Sequence, residues 1–403
     1  MNPDLQRLHP YPFERLAALL AGVPAPAALS PVLMSIGEPR HAAPAFVLEE
    51  ISARSSGYSQ YPKTAGVIEL REAIATWLVQ RYELPATSIS ADAHVLPVNG
   101  SREALFAFTQ CAVSRAANAA PLVAMPNPFY QIYEGAALLA GATPLFLPER
   151  QDRPGIADFA AVSAADWQRC QMLVVCSPGN PAGAVLDLGD WREIFALADR
   201  HDFIVASDEC YSELYLDENA APVGVLQAAV ATGREDFHRC IAFHSLSKRS
   251  SLPGLRSGFV AGDRALIRDF LLYRTYHGSA MPVPHQYASR LAWSDEQHVR
   301  TNRALYREKF RAVLETLDGC LELSAPAGGF YLWPRTPVDE CVFTRELYRS
   351  THVTVLPGSF LSRPDERGDP GKGRVRMALV AELAECVEAA RRIRDFVNRA
   401  QFC

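Results

Sequence analysis

Short apolar runs alternate with amphipathic segments over roughly residues 66 to 290. The short runs are rich in β-branched and aliphatic residues, and they predict strands at 94–98, 122–125, 144–147, 172–176, 203–207, 240–244 and 258–261. Apolar residues at helical spacing predict helices at 67–81, 101–113, 130–140, 191–200 and 264–273. This alternation favours an α/β fold in which a mostly parallel sheet is wrapped by helices.

The pattern changes towards both ends of the chain. Residues 1–50 contain eight prolines and predict an irregular arm with one short helix at 13–20. Beyond about residue 290 the order predicted is a long charged helix at 297–317, a strand at 329–333, a helix at 344–350, strands at 353–356 and 374–379, and a closing helix at 381–399. We therefore expect an arm that belongs partly to a small domain (1–50), a large α/β domain (51–290) and a small α+β domain (291–403).

Composition excludes several classes of protein. The 403 residues are 49% hydrophobic and 21% charged, as is typical of a folded globular chain. The formal net charge is −5 without a basic stripe, which argues against a nucleic-acid partner. Because no run approaches ~18 apolar residues and no signal peptide is recognisable, we expect no membrane partner and a cytoplasmic location. The nine cysteines are scattered without a C-x-x-C pair, so neither a disulfide framework nor a metal site is predicted.

Chemically versatile side chains follow several of the predicted strands. Ligands of parallel α/β sheets bind at the carboxyl ends of the strands. Those positions hold Asn99-Gly100-Ser101, Asn180, Asp208 and Ser245-Leu246-Ser247-Lys248. An amide, an acid, an amine and several hydroxyls are thereby expected along one edge of the sheet.

Each of these features also has an ordinary structural interpretation. Ser101 at a helix start suits a phosphate, but it is equally a plain N-cap. Lys248 stands near Arg249 and Arg256, and cationic neighbours with partial burial would make it a nucleophilic amine; most lysines, however, are solvated surface residues. Asp208 fits a carboxylate that keeps a ring nitrogen protonated, or the cap of the next turn.

Several catalytic signatures are absent or incomplete. The Ser245–Lys248 segment matches S-x-x-K, yet the S-D-N and K-T-G motifs of serine β-lactamases do not follow it. The sequence has no G-x-G-x-x-G, no P-loop and no H-E-x-x-H. A dinucleotide-binding enzyme, a P-loop nucleotidase and a zincin are therefore not indicated.

Four motifs in a fixed order carry a resemblance to a known family. They are Asn180-Pro-Ala-Gly183, Ser207-Asp-Glu-Cys-Tyr211, Ser245-Leu-Ser-Lys248 with Leu252-Pro-Gly-Leu-Arg256, and Arg374-Val-Arg376. Together with Ser35-Ile-Gly-Glu-Pro39 they resemble the class I/II aminotransferases of fold type I, which depend on pyridoxal phosphate. The resemblance covers almost the whole chain. It implies a large domain with a mostly parallel seven-stranded sheet flanked by helices, and a smaller α+β domain.

The resemblance also implies roles for individual residues. Lys248 would bind the cofactor as a Schiff base and transfer the substrate proton, and Asp208 would pair with the pyridinium nitrogen. Asn180 and Tyr211 would hydrogen-bond the ring hydroxyl, and Tyr130 would stack on the ring. The phosphate would be bound by Gly100, Ser101, Arg102, Ser245, Ser247 and Arg256.

The substrate and the partner subunit are implied in the same way. Arg376 would hold the substrate α-carboxylate as a bidentate pair together with Gly37 and Asn180, and Arg374 is the rival arginine. Tyr61 matches a tyrosine that reaches the phosphate of a neighbouring subunit, which implies a homodimer with a shared active site.

Three stretches, 8–13, 243–259 and 276–282, are similar to bacterial N-succinyldiaminopimelate aminotransferases. The implied reaction transfers the amino group of N-succinyl-L,L-2,6-diaminopimelate to 2-oxoglutarate in lysine biosynthesis, ping-pong through pyridoxamine phosphate. Candidates for its distal carboxylates are Arg40, Arg249, Arg274 and His277, although each could equally be an ordinary surface charge. Arg40-His41 replaces a common Asp-Phe pair, and the added positive charge near the substrate entrance would suit an acidic substrate.

Three alternatives share the same motifs. One is a general aminotransferase for aspartate, alanine or kynurenine, because substrate choice does not depend on the cofactor motifs. Another is a carbon–sulfur lyase that uses the same cofactor. The third is a transcription regulator on an aminotransferase fold, which would need an added DNA-binding domain; about 35 residues before the first family motif leave too little room for one.

Overall fold

The computed structural model describes residues 1–116, 120–234 and 236–399. Its α-helices are α1 (Pro12–Leu20), α2 (Ala45–Ala53), α3 (Ile68–Arg81), α4 (Ala91–His94), α5 (Ser101–Ala112), α6 (Gln131–Leu139), α7 (Ala164–Arg169), α8 (Leu188–His201), α9 (Val225–Ala231), α10 (Leu246–Arg249), α11 (Arg264–His277), α12 (Val283–Ser294), α13 (Gln297–Leu317), α14 (Glu340–Thr351) and α15 (Leu383–Arg399). Its strands are β1 (Val32–Leu33), β2 (Val95–Val98), β3 (Leu122–Pro126), β4 (Thr143–Leu147), β5 (Cys170–Cys176), β6 (Ile204–Asp208), β7 (Cys240–Ser245), β8 (Gly258–Gly262), β9 (Tyr331–Leu332), β10 (Val353–Thr354), β11 (Leu356–Pro357) and β12 (Val375–Ala378).

A seven-stranded sheet forms the centre of the molecule, in the order β2-β8-β7-β6-β5-β3-β4. The pairs from β7 to β4 are parallel, and β8 is antiparallel to both of its neighbours. Six strands therefore point the same way, and their carboxyl ends meet at one edge. This confirms the predicted α/β class and its mostly parallel sheet.

Both faces of this sheet are covered by helices because its central strands are apolar on both sides. In β5, Leu173 and Val175 join the core beneath α3, α8 and α12. Met172 and Val174 join the core beneath α5, α6 and α11 on the opposite face. This alternation follows the two-residue period of a strand.

A second core lies under α13, α14 and α15. It contains Val32 from β1, Phe310 from α13, Leu347 from α14, Met377 from β12 and Ile393 from α15. A small antiparallel sheet, β11-β12-β9, and the parallel pair β1-β10 contribute its extended segments. The arm thus supplies a strand to this second core, while the domain boundaries near residues 50 and 290 remain a prediction.

Several local elements differ from the sequence-based expectation. The arm contains a second helix, α2, and five further helices, α4, α7, α9, α10 and α12, were not predicted at all. The single strand expected at 353–356 is two strands, because β10 pairs with β1 whereas β11 pairs with β12. Neighbouring residues of one apolar run thus take partners in different sheets, and hydrophobic periodicity does not encode that choice.

Eight cysteines, at positions 111, 170, 176, 210, 240, 320, 341 and 386, are free thiols, and the ninth, Cys403, lies outside the described residues. Across the described chain, no helix combines the length and the apolar character that crossing a bilayer requires.

The central sheet gives a stability prediction. Leu173→Ala removes a side chain that is fully buried in β5, and we expect a loss of about 2–5 kcal/mol in the free energy of unfolding. The matched control is Leu305→Ala on α13, where the leucine is 41% exposed and the expected change stays within about 0.5 kcal/mol. Chemical denaturation of both variants would measure the difference. Equal losses would show that β5 is not part of the cooperative core.

Candidate active site

A cavity of about 590 Å³ opens at the carboxyl ends of β5, β6 and β7. Twelve of the fourteen residues predicted for the site line it: Gly37, Ser101, Arg102, Tyr130, Asn180, Asp208, Tyr211, Ser245, Ser247, Lys248, Arg256 and Arg376. Residues from the arm and from the region after 330 complete the walls. The cavity therefore lies between the central sheet and the second core.

Lys248 is positioned by the short helix α10 directly after β7. Ser245 caps this helix by accepting the backbone N–H of Ser247 at 3.1 Å. The Lys248 Nζ enters the cavity and donates to the carbonyl oxygen of Gly37 at 2.6 Å. Burial, together with the nearby guanidinium groups of Arg376 and Arg102, lowers the pKa of the amine to about 8. An amine in this state suits nucleophilic chemistry, and a solvated surface lysine does not fit these contacts.

Asp208 ends strand β6 and is 2% exposed. Its Oδ2 accepts the hydroxyl of Tyr133 at 2.7 Å, and its Oδ1 accepts the backbone N–H of Cys210 at 3.2 Å. Burial raises the pKa of this carboxyl group, while these hydrogen bonds act in the opposite direction. The carboxylate would therefore gain from a cationic partner in the cavity. Tyr133 was missed by sequence reasoning, although it lies three residues after Tyr130 and so on the same side of α6.

A second buried carboxylate, Glu209, stabilises this end of the sheet on the side that faces away from the cavity. Its Oε1 accepts the Ser207 hydroxyl at 2.9 Å and the Val225 N–H at 2.7 Å. Its Oε2 accepts the Tyr82 hydroxyl at 2.7 Å and lies 3.2 Å from the Nε2 of His244. These contacts join β6, β7, α3 and α9. They stabilise the end of β6, where Asp208 lies, and the turn after it, which contains Tyr211.

Arg376 on β12 is the arginine that reaches the cavity. Its Nη1 donates to the Asn180 side-chain oxygen at 3.1 Å, and its Nη2 donates to the Ser35 carbonyl at 2.8 Å. The Nε of Arg376 is buried without a hydrogen-bond partner among the described residues. Arg374 donates instead to the Trp333 carbonyl at 2.9 Å and lies outside the cavity lining. The cavity is therefore lined by Arg376, the arginine that the resemblance preferred, and not by its rival Arg374.

Tyr331 on β9 lines the cavity and was not identified from the sequence. Its hydroxyl lies 3.1 Å from the hydroxyl of Tyr211, and its ring lies 4.4 Å from the Arg376 guanidinium carbon. A Cβ atom at Gly37 would lie 1.9 Å from the same hydroxyl. The backbone at Gly37 can lie against the Tyr331 side chain only because that position has no side chain of its own. The apolar run at 329–333 indicated a strand but not which of its aromatics face the cavity.

The start of α5 and the Arg256 side chain form a cationic corner. Gly100 precedes the helix with φ 87°, and a Cβ there would lie 2.5 Å from the Arg256 Nη2. Arg256 Nη2 donates to the Asn99 carbonyl at 3.2 Å, and Arg102 donates to the Tyr130 hydroxyl. Helix N–H groups and two guanidinium groups thereby face the same space, an arrangement suited to a phosphate.

Tyr61 is a predicted site residue that is separate from this arrangement. Its side chain is 102% exposed, and it does not line the cavity of its own chain. Full exposure is what a residue that contacts a second copy would show in an isolated chain. The predicted role of Tyr61 therefore stays a prediction.

The four candidates for distal carboxylates do not line the cavity. Arg249 donates to the Ala292 carbonyl at 2.7 Å and pairs with Glu296, and Arg274 pairs with Glu103 at 2.6 Å. Both arginines are buried and neutralise carboxylates between packed helices, so they are not surface charges. His277 lies 3.8 Å from the same Glu103.

The expectation of positive charge at the substrate entrance is likewise not supported. Arg40 lies 3.6 Å from Glu385 at the start of α15. The ring of His41 contacts Asn302 and Lys309 on α13. Neither Arg40 nor His41 lines the cavity.

The outer part of the cavity is built from elements distant in sequence. Tyr11, Pro12 and Phe13 come from the start of α1, Gln131 from α6, Glu38 from the arm, and Leu356 and Leu361 from the region around β11. The stretch at 8–13 was singled out from the sequence, and it contributes three of these residues. The stretch at 276–282 contributes none.

Comparison with known proteins supports the same class of enzyme. Residues 30–393 match the family model of aminotransferase class I and II. An aminotransferase structure from Neisseria meningitidis is 48% identical, with a TM-score of 0.93 over 98% of this chain and 99% of that one. A probable N-succinyldiaminopimelate aminotransferase from Thermus thermophilus is 26% identical, with a TM-score of 0.82 over 96% of this chain and 100% of that one.

A curated relative is named for a related compound, LL-diaminopimelate. The LL-diaminopimelate aminotransferase of Maridesulfovibrio salexigens is 28% identical over 96% of this chain and 97% of that protein. The match of the family model over most of the sequence, together with the cavity at the strand ends, fixes the family. The chain belongs to the class I and II aminotransferases, which depend on pyridoxal phosphate.

Proposed function

We propose that the cavity binds pyridoxal phosphate with the phosphate at the start of α5 and the ring between Tyr130 and Asp208. The observation that carries this proposal is the Lys248 amine, whose pKa is lowered to about 8 beside a cationic corner and a buried acid. The close approach of Arg256 to Gly100 supports the phosphate position, because a side chain at residue 100 would fill the space.

The residues around Lys248 divide the chemistry among them. When bound, pyridoxal phosphate supplies an electron sink that acidifies the Cα–H of an attached amino acid. Asp208 would hold the proton on the ring nitrogen, because a buried carboxylate is stabilised by an adjacent cation. Tyr211, held 3.1 Å from Tyr331, would donate to the ring hydroxyl with Asn180. Lys248 would carry the proton between the substrate Cα and the C4′ carbon of the cofactor. An amine whose pKa is lowered to about 8 suits this task.

Arg376 would bind the α-carboxylate of the substrate. Its two terminal nitrogens already point to oxygen atoms, those of Asn180 and Ser35, and its Nε is unpaired among the described residues. A planar guanidinium binds a carboxylate through two parallel hydrogen bonds. Gly37 lines the same cavity and lies against Tyr331, whose ring also contacts Arg376.

For the amino donor we propose N-succinyl-L,L-2,6-diaminopimelate, with 2-oxoglutarate as the acceptor. The name of the Thermus thermophilus relative and the three specific sequence stretches support this choice. The cavity of about 590 Å³ has room for a long acylated chain beyond the reacting carbon.

The fully exposed Tyr61 supports a homodimer in which each subunit completes the active site of the other.

A second candidate donor is unacylated L,L-diaminopimelate. The Maridesulfovibrio salexigens relative acts on this compound by name. The exposed Glu38 favours it as well, because its carboxylate lines the cavity and suits the free ammonium at the distal end of the molecule. Succinylation would replace that ammonium by an uncharged amide.

The two arginines on the β12 segment give the first prediction. Arg376→Ala should raise the KM for glutamate about 10²-fold, because the carboxylate loses charge-assisted hydrogen bonds. Arg376→Lys should remain impaired, since an ammonium cannot form the bidentate pair. Arg374→Ala is the matched control and should leave KM within about threefold. Steady-state kinetics at varied glutamate measures all three. The reverse order of defects would assign the carboxylate to Arg374.

The lowered pKa of Lys248 gives the second prediction. Only the unprotonated amine condenses with an aldehyde, so the rate at which the apoenzyme takes up pyridoxal phosphate should rise with pH through about 8. An ordinary lysine with a pKa of 10.5 would instead keep accelerating to much higher pH. Stopped-flow absorbance of the bound cofactor measures this rate. Lys248→Ala, as control, should fold but show no lysine-bound absorbance and no turnover, and retained turnover would remove Lys248 from its role.

The choice of donor gives the third prediction. Cofactor-loaded enzyme without oxo acid should lose its visible absorbance at least about tenfold faster with N-succinyldiaminopimelate and glutamate than with aspartate, alanine or kynurenine.

Faster loss of this absorbance with L,L-diaminopimelate than with its succinylated form would favour the second candidate donor. Glu38→Gln should then slow that reaction without affecting glutamate. Equal rates with all simple amino acids would leave a general aminotransferase, and elimination of a thiol from cysteine-type donors would indicate a lyase.

A further inference from the structure

Residues 37–41 contact the segment that carries Lys248 at both of their ends. At one end the Gly37 carbonyl accepts the Lys248 Nζ at 2.6 Å. At the other end the His41 carbonyl accepts the hydroxyl of Ser251 at 2.9 Å. The His41 ring then extends away from the cavity towards α13.

On α13 a polar stripe faces this ring. Asn302, Tyr306 and Lys309 lie at helical spacing on one side of the helix, and all three are buried. The Nδ1 of His41 lies 2.7 Å from the Asn302 side-chain oxygen, and its Nε2 lies 2.6 Å from the Lys309 Nζ. The centre of the His41 ring lies 4.5 Å from that of Tyr306. The polar stripe also contacts the active-site segment: the Asn302 side-chain amide donates to the backbone carbonyls of Lys248 and Arg249, both at 3.1 Å.

The direction of each hydrogen bond follows from the groups involved. The Lys309 ammonium can only donate, so the His41 Nε2 must accept and the ring proton must be on Nδ1. Nδ1–H then donates to the Asn302 oxygen, which turns the amide nitrogen towards the two carbonyls. Burial and the neighbouring Lys309 lower the pKa of His41, while Asn302 and Glu382 act against them. The neutral ring that this chain of bonds requires is therefore favoured.

We propose that His41 is a positioning residue, which through Asn302 fixes the backbone of Lys248 and so sets the place of its amine relative to Gly37. This inference rests on the proposed role of Lys248 as the residue that binds pyridoxal phosphate. Lys309 fixes the tautomer of the His41 ring. A phenyl ring at this position would have neither a donor nor an acceptor for Asn302 and Lys309.

The test compares His41→Leu with His94→Leu. His94 is a buried histidine whose ring accepts the Ser90 N–H at 2.9 Å, and it lies at the opposite end of β2 from the cavity. We expect His41→Leu to lower kcat about 10- to 100-fold with glutamate and 2-oxoglutarate, while KM changes less than about threefold. The pH midpoint of the visible absorbance of the bound cofactor should also shift by at least about half a unit, because the amine is displaced. His94→Leu should lower the thermal stability but leave that midpoint in place.

Three further variants distinguish the positioning role from a folding defect. His41→Gln keeps one donor and one acceptor and should restore kcat to within about fivefold of the wild type. Asn302→Leu should reproduce the shift of the absorbance midpoint, and the double variant His41→Leu/Asn302→Leu should be no worse than either single variant, because both act through the same contact.

The outcomes separate this inference from the proposed function. If the wild-type protein binds pyridoxal phosphate without lysine-bound absorbance, the role of Lys248 fails. If the wild type shows that absorbance and His41→Leu keeps its midpoint and kcat, only the positioning role is overturned. Additive losses in the double variant would likewise overturn it.

Discussion

The site depends on a buried amine, that of Lys248, which forms no ion pair with a carboxylate of the described residues. The Lys248 Nζ donates to a backbone carbonyl, and the guanidinium groups of Arg376 and Arg102 lie near it. In that environment the charged form of the amine is destabilised, and its pKa falls to about 8. Three separate parts of the chain create this environment. Helix α10, directly after β7, carries Lys248, the arm contributes Gly37 and β12 contributes Arg376.

The sheet and its buried acids hold the other side of the cavity. Asp208 and Glu209 are consecutive and both buried, yet they face different partners. Asp208 turns into the cavity with Tyr133, whereas Glu209 turns into the protein towards Tyr82 and Ser207. Successive residues of an extended segment point to opposite sides, so one acid can face a ligand while the next holds the strands together.

The arm connects the two cores of the protein to the reacting groups. The Met34 N–H donates to Thr354 in the second core at 2.8 Å, and the next residue, Ser35, accepts from Arg376. Gly37 then reaches Lys248, and His41 reaches α13. Between β1 and α2 the arm forms no helix or strand, and its backbone groups bond to side chains and to a distant strand instead. Its short contacts with four elements explain why proline-rich sequence here does not mean an independent tail.

The sequence alone predicted the strands of the central sheet, most of the longer helices, the α/β class and the family resemblance. Those properties depend on local periodicity and on short motifs whose residues are adjacent, such as Ser245–Lys248 after an apolar run. The same motifs identified Asp208, Asn180 and Arg256, and all three line the cavity. The resemblance preferred Arg376, but only the tertiary structure showed that Arg376 and not Arg374 lines the cavity, because the direction of a guanidinium depends on distant partners. The tertiary structure alone also showed that Tyr331 and Tyr133 line the cavity. It further showed that Arg249 and Arg274 form ion pairs with Glu296 and Glu103. These choices follow from which elements pack together, and one-dimensional patterns do not record packing between residues hundreds of positions apart.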